Sequence, residues 1–76
     1  MRRAVIDIGT NTLLLLIVDE TATGLVRVLD WCRFGRLGQG LDASGRLHPD
    51  AIARSLAIVG EYAAALAEHR PVTVDV

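Results

Sequence analysis

The sequence of 76 residues contains no lysine, one cysteine, two prolines and three aromatic residues. The single cysteine, Cys32, cannot form an internal disulfide, and its neighbours lack the spacing of metal ligands. We therefore interpret it as a buried, inert thiol. All eight basic residues are arginines, they form no basic run, and the net charge is −1. This charge distribution offers no surface for nucleic acid, and we expect neither DNA nor RNA as a partner.

Long hydrophobic runs are also missing. The apolar run at residues 13–18 is far shorter than the roughly 20 residues that a membrane-spanning helix requires. Arg2 and Arg3 precede an apolar region, as in a signal peptide, but Asp7 and Asn11 interrupt that region. No small-residue cleavage site follows it. We predict a cytoplasmic protein that makes no membrane contact.

Aliphatic side chains are abundant. Hydrophobic residues make up 51% of the chain, so its core must consist of Leu, Ile, Val and Ala. A chain of this length buries only about 60% of the surface that its unfolded form exposes. We expect a globular chain of marginal stability, or a part of a larger globular domain.

Five segments have the patterns of regular secondary structure. They are strands at about residues 3–8, 13–19, 25–34 and 71–76, and a helix at about residues 49–69. The first three strands predict an antiparallel meander because only short turns separate them. A glycine-rich connection at residues 35–41 and a turn at residues 42–45 lead to the helix.

The helix has clear start and stop signals. His48 is the expected cap, Pro49 suits the first turn, and Pro71 cannot continue the helix beyond His69. Apolar residues recur at a spacing of four and three, which predicts that they form the buried face. These residues are Ile52, Leu56, Val59, Ala63 and Leu66.

A strand that follows a helix can pair in parallel with an earlier strand through a right-handed crossover. The predicted fold is therefore α/β, with a mixed sheet in the order 3-2-1-4 and the fourth strand parallel to the first. One helix covers one face of a sheet, whereas mixed sheets of this kind normally have helices on both faces. We interpret residues 1–76 as the amino-terminal part of a single, incomplete domain.

The turn after the first strand carries the residues that could bind a ligand or take part in catalysis. Asp7 stands at the end of a central strand, where a carboxylate costs several kcal/mol to desolvate unless a cation or a hydrogen-bond donor meets it. Gly9 allows close approach of the backbone to a ligand, Thr10 and Thr12 supply hydroxyls, and Asn11 can adopt a left-handed conformation. This combination suits a magnesium ion and a phosphate. The same residues are also common in ordinary hairpins, and that alternative stays open.

Residues 5–12 resemble the first phosphate-binding hairpin of the acetate kinase, sugar kinase, heat-shock protein and actin superfamily. Within it the sequence is most similar to the exopolyphosphatase and guanosine pentaphosphate phosphohydrolase (Ppx/GppA) family, whose opening typically reads Asp-x-Gly-Ser-Asn-Ser. Residues 36–41, 44–47 and 49–52 are similar to that family's segment between the third strand and the first helix. The resemblance covers nearly the whole chain and implies a partial ribonuclease-H-like (actin-like ATPase) domain.

The resemblance also implies an activity, the magnesium-dependent release of terminal phosphate from inorganic polyphosphate or guanosine pentaphosphate. Asp7 would be the catalytic residue that holds hydrated Mg²⁺, and residues 9–12 would bind phosphoryl oxygens. The family's general base and second phosphate loop lie further along the chain, and Glu61 and Glu68 do not fit the base. The resemblance therefore implies that residues 1–76 alone have no turnover. Leu14 stands where many relatives carry Arg or His, which leaves the choice of substrate open.

Two other functions remain as alternatives, an ATP-dependent kinase of the same superfamily and a non-catalytic sensor of nucleotides or polyphosphate. Arg36 is interpreted as a solvated side chain rather than a substrate contact, and Trp31 and Phe34 as residues that pack in the core or at an interface. Apolar faces left uncovered by the missing part of the domain predict self-association or a homo-oligomer.

Overall fold

The computed structural model describes residues 1–40 and 45–76. Its elements are strands β1 (Arg2–Ile8), β2 (Leu13–Thr21), β3 (Gly24–Arg33) and β4 (Thr73–Asp75), and helix α1 (Pro49–His69), which precedes β4. Most of the predicted turn at residues 42–45, together with Leu41, lies outside the described residues. The fourth strand is shorter than the predicted 71–76, because its pairing with β1 extends only over Arg3–Val5.

The four strands form one sheet in the order β3-β2-β1-β4. β1 pairs antiparallel with β2, β2 pairs antiparallel with β3, and β1 pairs in parallel with β4. Both the predicted α/β class and the predicted strand order are confirmed. The parallel pair follows from α1, since a short turn cannot bring a strand back in the same direction.

The core lies between one face of the sheet and α1. Because side chains alternate along a strand, Leu13, Leu15 and Ile17 of β2 all point to this face and are fully buried. Ala4 of β1 lies beside them, and Tyr62 of α1 is fully buried against them. This cluster fixes α1 over the centre of the sheet.

The buried face of α1 is not the predicted one. The side chains that face the sheet are Ala51, Ser55, Ile58, Tyr62 and Ala65. Of the predicted set, Leu66 is partly buried against the core, whereas Leu56 is 64% exposed and Ile52 and Val59 are each 38% exposed. The helix carries two apolar stripes one residue apart, about 100° around its axis, and the stripe with Ala and Ser packs inward. Small residues let the helix approach the leucine-rich sheet closely around the one large ring of Tyr62.

The helix begins and ends where the sequence predicts, and both of its ends are capped. His48 is the N-cap, and its Nδ1 accepts a hydrogen bond from the Asp50 N–H at 3.1 Å. At the other end, Arg70 has a left-handed backbone (φ 50°) and donates its N–H to the Leu66 carbonyl at 2.8 Å. The left-handed residue ends the helix and directs the chain into β4.

An ion pair links the two central strands to the end of the helix. Arg2 donates from Nε and Nη2 to the Asp19 carboxylate at 2.7 and 2.9 Å, and from Nη1 to the His69 carbonyl at 3.0 Å. The hydrogen bond from Arg2 lowers the pKa of Asp19, and the same bond raises the pKa of Arg2. A paired guanidinium therefore joins β1, β2 and the carboxyl end of α1.

The second face of the sheet has no layer over it within the described residues. Val5 and Leu14 lie on this face, and both are exposed. Cys32 pairs with Leu14 in the register and is exposed, so its interpretation as a buried thiol was wrong. Trp31 packs against the core beside Tyr62, whereas Phe34 is 56% exposed and does not belong to the core. Strand pattern alone does not reveal which face of an edge strand is covered.

Among the described residues, no helix combines the length and hydrophobicity that crossing a membrane requires.

Candidate functional site

The loop at residues 9–12 closes the hairpin between β1 and β2. The Gly9 N–H donates to the Thr12 carbonyl at 2.9 Å, and a Cβ at Gly9 would lie 3.2 Å from that same oxygen. The absence of a side chain at Gly9 thus permits the tight closure. The Gly9 N–H is used inside the loop, so its contribution is to loop shape and not to binding an anion.

Asn11 was expected to supply a left-handed backbone, and this was wrong. Among the described non-glycine residues only Arg36 and Arg70 have positive φ. The left-handed residue beside the hairpin is Arg36 (φ 51°), which lies in the connection that packs against the loop.

The connection after β3 holds the loop from one side. Arg36 donates its N–H to the Asn11 carbonyl at 3.0 Å, and Gly38 donates to the Thr10 carbonyl at 2.7 Å. A Cβ at Gly38 would lie 3.2 Å from the Thr10 Cβ, so only glycine fits without displacement. These bonds fix the direction of both peptide groups, which turns two carbonyls of the loop toward the connection.

Other N–H groups of the loop and its hydroxyls, unlike the engaged carbonyls, remain available to bind a ligand. Within residues 1–40 and 45–76, the N–H groups of Thr10 and Asn11 donate to no carbonyl, and the hydroxyls of Thr10 and Thr12 have no hydrogen-bond partner. Successive backbone N–H groups together with hydroxyls are the donors that bind phosphoryl oxygens. The loop therefore offers donors on a backbone in which the carbonyls of Thr10, Asn11 and Thr12 are already engaged.

The base of the loop is anchored in the core. Tyr62 donates its hydroxyl to the carbonyl of Leu13, the first residue of β2, at 2.5 Å. Gly35, at the start of the connection, is buried, and a Cβ there would lie 2.5 Å from both Leu13 Cδ1 and Ser55 Oγ. Burial raises the pKa of Tyr62, consistent with a neutral donor in an apolar setting. Helix, strand and connection thus meet directly beneath the loop.

Asp7 lies at the end of β1, paired in register with Leu14 on the sheet face away from α1. Its side chain is exposed, so the expected desolvation penalty does not arise in this chain. Within the described residues Asp7 has no ion-pair partner, whereas Asp19 and Glu20 are paired with arginines. Its carboxylate is therefore free to bind a cation.

A magnesium ion fits this donor set. The described residues contain no group of three His, Cys, Asp or Glu side chains that could enclose a metal. Mg²⁺ does not need such a group, since it keeps several waters and binds through one or two carboxylates plus substrate phosphates. Asp7, which has no ion-pair partner among the described residues, lies next to a loop with unused hydrogen-bond donors for phosphate and matches that requirement.

A second feature adjoins the hairpin. A hollow of about 470 Å³ is lined by Phe34, Arg36, Gln39 and Arg54. Arg54 donates from Nε to the Gly35 carbonyl at 2.9 Å and from Nη2 to the Gln39 Oε1 at 2.6 Å. The sequence analysis did not identify Arg54, because a lone arginine on a helix gives no signal of what it contacts 15 to 19 residues away.

Comparison with known proteins finds similarity to exopolyphosphatases and Ppx/GppA phosphatases. Over 73 residues the chain is 48% identical to exopolyphosphatase 2 of Mycobacterium tuberculosis, a match that covers 90% of this chain and 23% of the relative. Its fold matches the Ppx/GppA phosphatase of Aquifex aeolicus with a TM-score of 0.92 at 30% identity, covering 97% of this chain and 25% of that one. An exopolyphosphatase of Cytophaga hutchinsonii matches with a TM-score of 0.89 at 32% identity, covering 97% and 24%. No protein-family model matches the chain.

These similarities confirm the resemblance indicated by residues 5–12 and by residues 36–41, 44–47 and 49–52. The chain corresponds in sequence and fold to one segment of the relatives and spans about a quarter of their length.

Proposed function

We propose that this chain, which matches about a quarter of exopolyphosphatases and Ppx/GppA phosphatases in sequence and fold, is the amino-terminal part of a magnesium-dependent phosphohydrolase. Its substrates are inorganic polyphosphate or guanosine pentaphosphate, from which it releases terminal phosphate. The observation that carries the proposal is that Asp7, which has no ion-pair partner among the described residues, adjoins a loop in which the Thr10, Asn11 and Thr12 carbonyls are engaged. The N–H groups of Thr10 and Asn11 in that loop are unused within the described residues.

Each residue of the loop has a part in this chemistry. Asp7 holds the hydrated cation, and the N–H groups of Thr10 and Asn11 with the hydroxyls of Thr10 and Thr12 bind phosphoryl oxygens. Gly9 keeps the loop tight. When bound, Mg²⁺ would supply charge neutralisation at the phosphoryl group. Because phosphoryl transfer depends mainly on positioning and on neutralising charge, a small rigid loop contributes much of what it needs.

The general base lies elsewhere in the proposed full-length protein. Glu61 and Glu68 are both on α1, and Glu61 lies 3.8 Å from the Arg33 guanidinium. Neither belongs to the loop at residues 9–12. We therefore propose that residues 1–76 alone bind phosphate weakly and do not turn over substrate.

The names of the relatives favour this function over the kinase and sensor alternatives. The proposal extends to a cytoplasmic location, which suits an enzyme of soluble phosphate polymers. It also includes self-association through the uncovered apolar faces, on which Val5, Leu14 and Leu56 are exposed.

Phosphate release by the full-length protein tests the proposal. Inorganic polyphosphate, guanosine pentaphosphate and ATP are compared at equal concentration, with Mg²⁺ and with excess chelator. We expect release from one of the first two, little from ATP, and loss of release when magnesium is removed. Transfer of the ATP γ-phosphate to a small-molecule acceptor, without release from either of the other two, would instead identify a kinase.

A further inference from the structure

We propose that the hollow lined by Phe34, Arg36, Gln39 and Arg54 is a second anion site, which binds another phosphoryl group of a polyphosphorylated ligand. The choice of a polyphosphorylated ligand rests on the proposed function. The existence of an anion site rests on the geometry of the two arginines alone.

Arg36 has an unusual backbone for an arginine. Its φ of 51° lies in the left-handed region, which a residue with a Cβ adopts only at a cost. Two hydrogen bonds hold it there, from its N–H to the Asn11 carbonyl at 3.0 Å and from the Gln39 N–H to its own carbonyl at 2.9 Å. A glycine would take this conformation without strain. The position nevertheless carries a long cationic side chain, which indicates that the side chain itself has a use.

The guanidinium of Arg36 is available for that use. The residue is exposed, and no carboxylate or carbonyl within the described residues accepts a hydrogen bond from its side chain. It differs in this respect from Arg2 and Arg3, which pair with Asp19 and Glu20. An arginine with unused donors in a concave surface is the group that binds phosphate in a bidentate manner.

Arg54 is fixed beside it. Its Nε and Nη2 each donate one hydrogen bond, to the Gly35 carbonyl and the Gln39 Oε1. A guanidinium has five N–H donors, so others remain for a ligand. Because the side chain is already held, binding costs little further conformational entropy. Among the residues that the structure describes, the lining of the hollow thus contains two cations and no carboxylate.

The hollow and the hairpin share one wall. The connection that carries Arg36 and Gln39 also donates its backbone N–H groups to the Thr10 and Asn11 carbonyls. We expect a chain of several phosphoryl groups bound at the loop to extend past this connection to the two arginines. Both inorganic polyphosphate and a guanosine nucleotide present such groups, and the exposed ring of Phe34 offers a surface only a nucleobase would use.

Equilibrium binding of tripolyphosphate to the full-length protein, in magnesium-free buffer, tests the site without requiring turnover. Arg36→Gly removes the guanidinium and relieves the backbone strain at the same time. We expect its affinity to fall about 10-fold or more, while the midpoint of thermal unfolding stays equal or rises. Arg54→Gln should also weaken binding. Arg27→Gln, which removes an equal charge from an exposed position on β3, should bind within about 2-fold of the wild type.

Wild-type affinity in Arg36→Gly, or an equal loss in Arg27→Gln, would overturn the site. Absence of phosphate release from any substrate, combined with lost tripolyphosphate binding in Arg36→Gly, would support the anion site and remove the proposed hydrolase function. Phe34→Ala separates the two ligand sources. A loss confined to guanosine pentaphosphate supports a nucleotide phosphoryl group, and no loss for either ligand supports the inorganic chain.

Discussion

The hydroxyl of Tyr62 anchors the base of the candidate loop, and Tyr62→Phe removes that group alone. The ring stays buried against Leu13, Leu15 and Ile17, so no cavity larger than a hydroxyl is created. What is lost is the hydrogen bond of 2.5 Å to the Leu13 carbonyl, in a residue with no solvent exposure. The carbonyl then lies in the core without this donor.

The expected size of the effect follows from that loss. A buried group left without its partner destabilises a protein by about 1–3 kcal/mol. At about 4–8 °C per kcal/mol for a domain of this size, the midpoint of thermal unfolding should fall by roughly 4–24 °C. Since the total stability of such a chain is about 4–11 kcal/mol, the change is a large part of it. Urea unfolding followed by circular dichroism measures it directly.

Ser55→Ala is the matched control, because it also removes one buried hydroxyl from the inner face of α1. Ser55 Oγ is buried and has no hydrogen-bond partner within the described residues. Its removal should leave the free energy of unfolding unchanged or raise it by up to about 1 kcal/mol. If Tyr62→Phe costs less than about 0.5 kcal/mol, or if Ser55→Ala costs as much as Tyr62→Phe, the hydroxyl of Tyr62 is not the anchor described here.

Alkaline pH provides a second readout of the same group. The chain contains one tyrosine and no lysine, so few other groups titrate in this range. Burial raises the pKa of Tyr62 in the folded state, so the unfolded state loses the tyrosine proton at a lower pH than the folded state does. Stability should therefore decrease as the pH rises above the unfolded tyrosine value of about 10, and this decrease should be absent in Tyr62→Phe.

Two further predictions concern the ion pair and the exposed faces. Because Arg2 lowers the pKa of Asp19, the pair stabilises the folded state above the unfolded aspartate pKa and loses this effect as the pH falls through the lower, folded pKa. Between pH 7 and pH 2–3, the free energy of unfolding measured with urea should therefore decrease more for the wild type than for Asp19→Asn. Equal decreases would contradict the pairing. Sedimentation velocity at micromolar concentration should show self-association of residues 1–76, reduced by Leu56→Glu on the outer stripe of α1, whereas a monodisperse monomer would exclude self-association through these faces.

The strand order was predictable because it follows from local signals. Short turns join the first three strands, and the helix between residues 49 and 69 is long enough for a right-handed crossover to a parallel partner. The face of that helix was not predictable from hydrophobicity, since Leu56 and Ile58 are both strongly apolar and only packing distinguishes them. The choice depends on the fit of Ile58, Tyr62 and Ala65 to the leucines of β2, which is a long-range property.

In the candidate site, too, some features were predictable from the sequence and others were not. The loop at residues 9–12 was predictable because its residue types lie together in the sequence. The left-handed Arg36 and the hollow beside Arg54 were not, because they arise from hydrogen bonds between distant segments. The exposure of Asp7 was also missed, since a sequence pattern does not show which face of a central strand is covered.

The most direct test of the account is phosphate release from polyphosphate by the full-length protein in the presence of Mg²⁺, compared between the wild type and Asp7→Asn. Asp30→Asn is the control, because it removes an exposed carboxylate that is paired with Arg27 on β3. We predict a loss of about 100-fold or more in Asp7→Asn and near wild-type release in Asp30→Asn. Wild-type release in Asp7→Asn would show that the hairpin is only a turn between two strands.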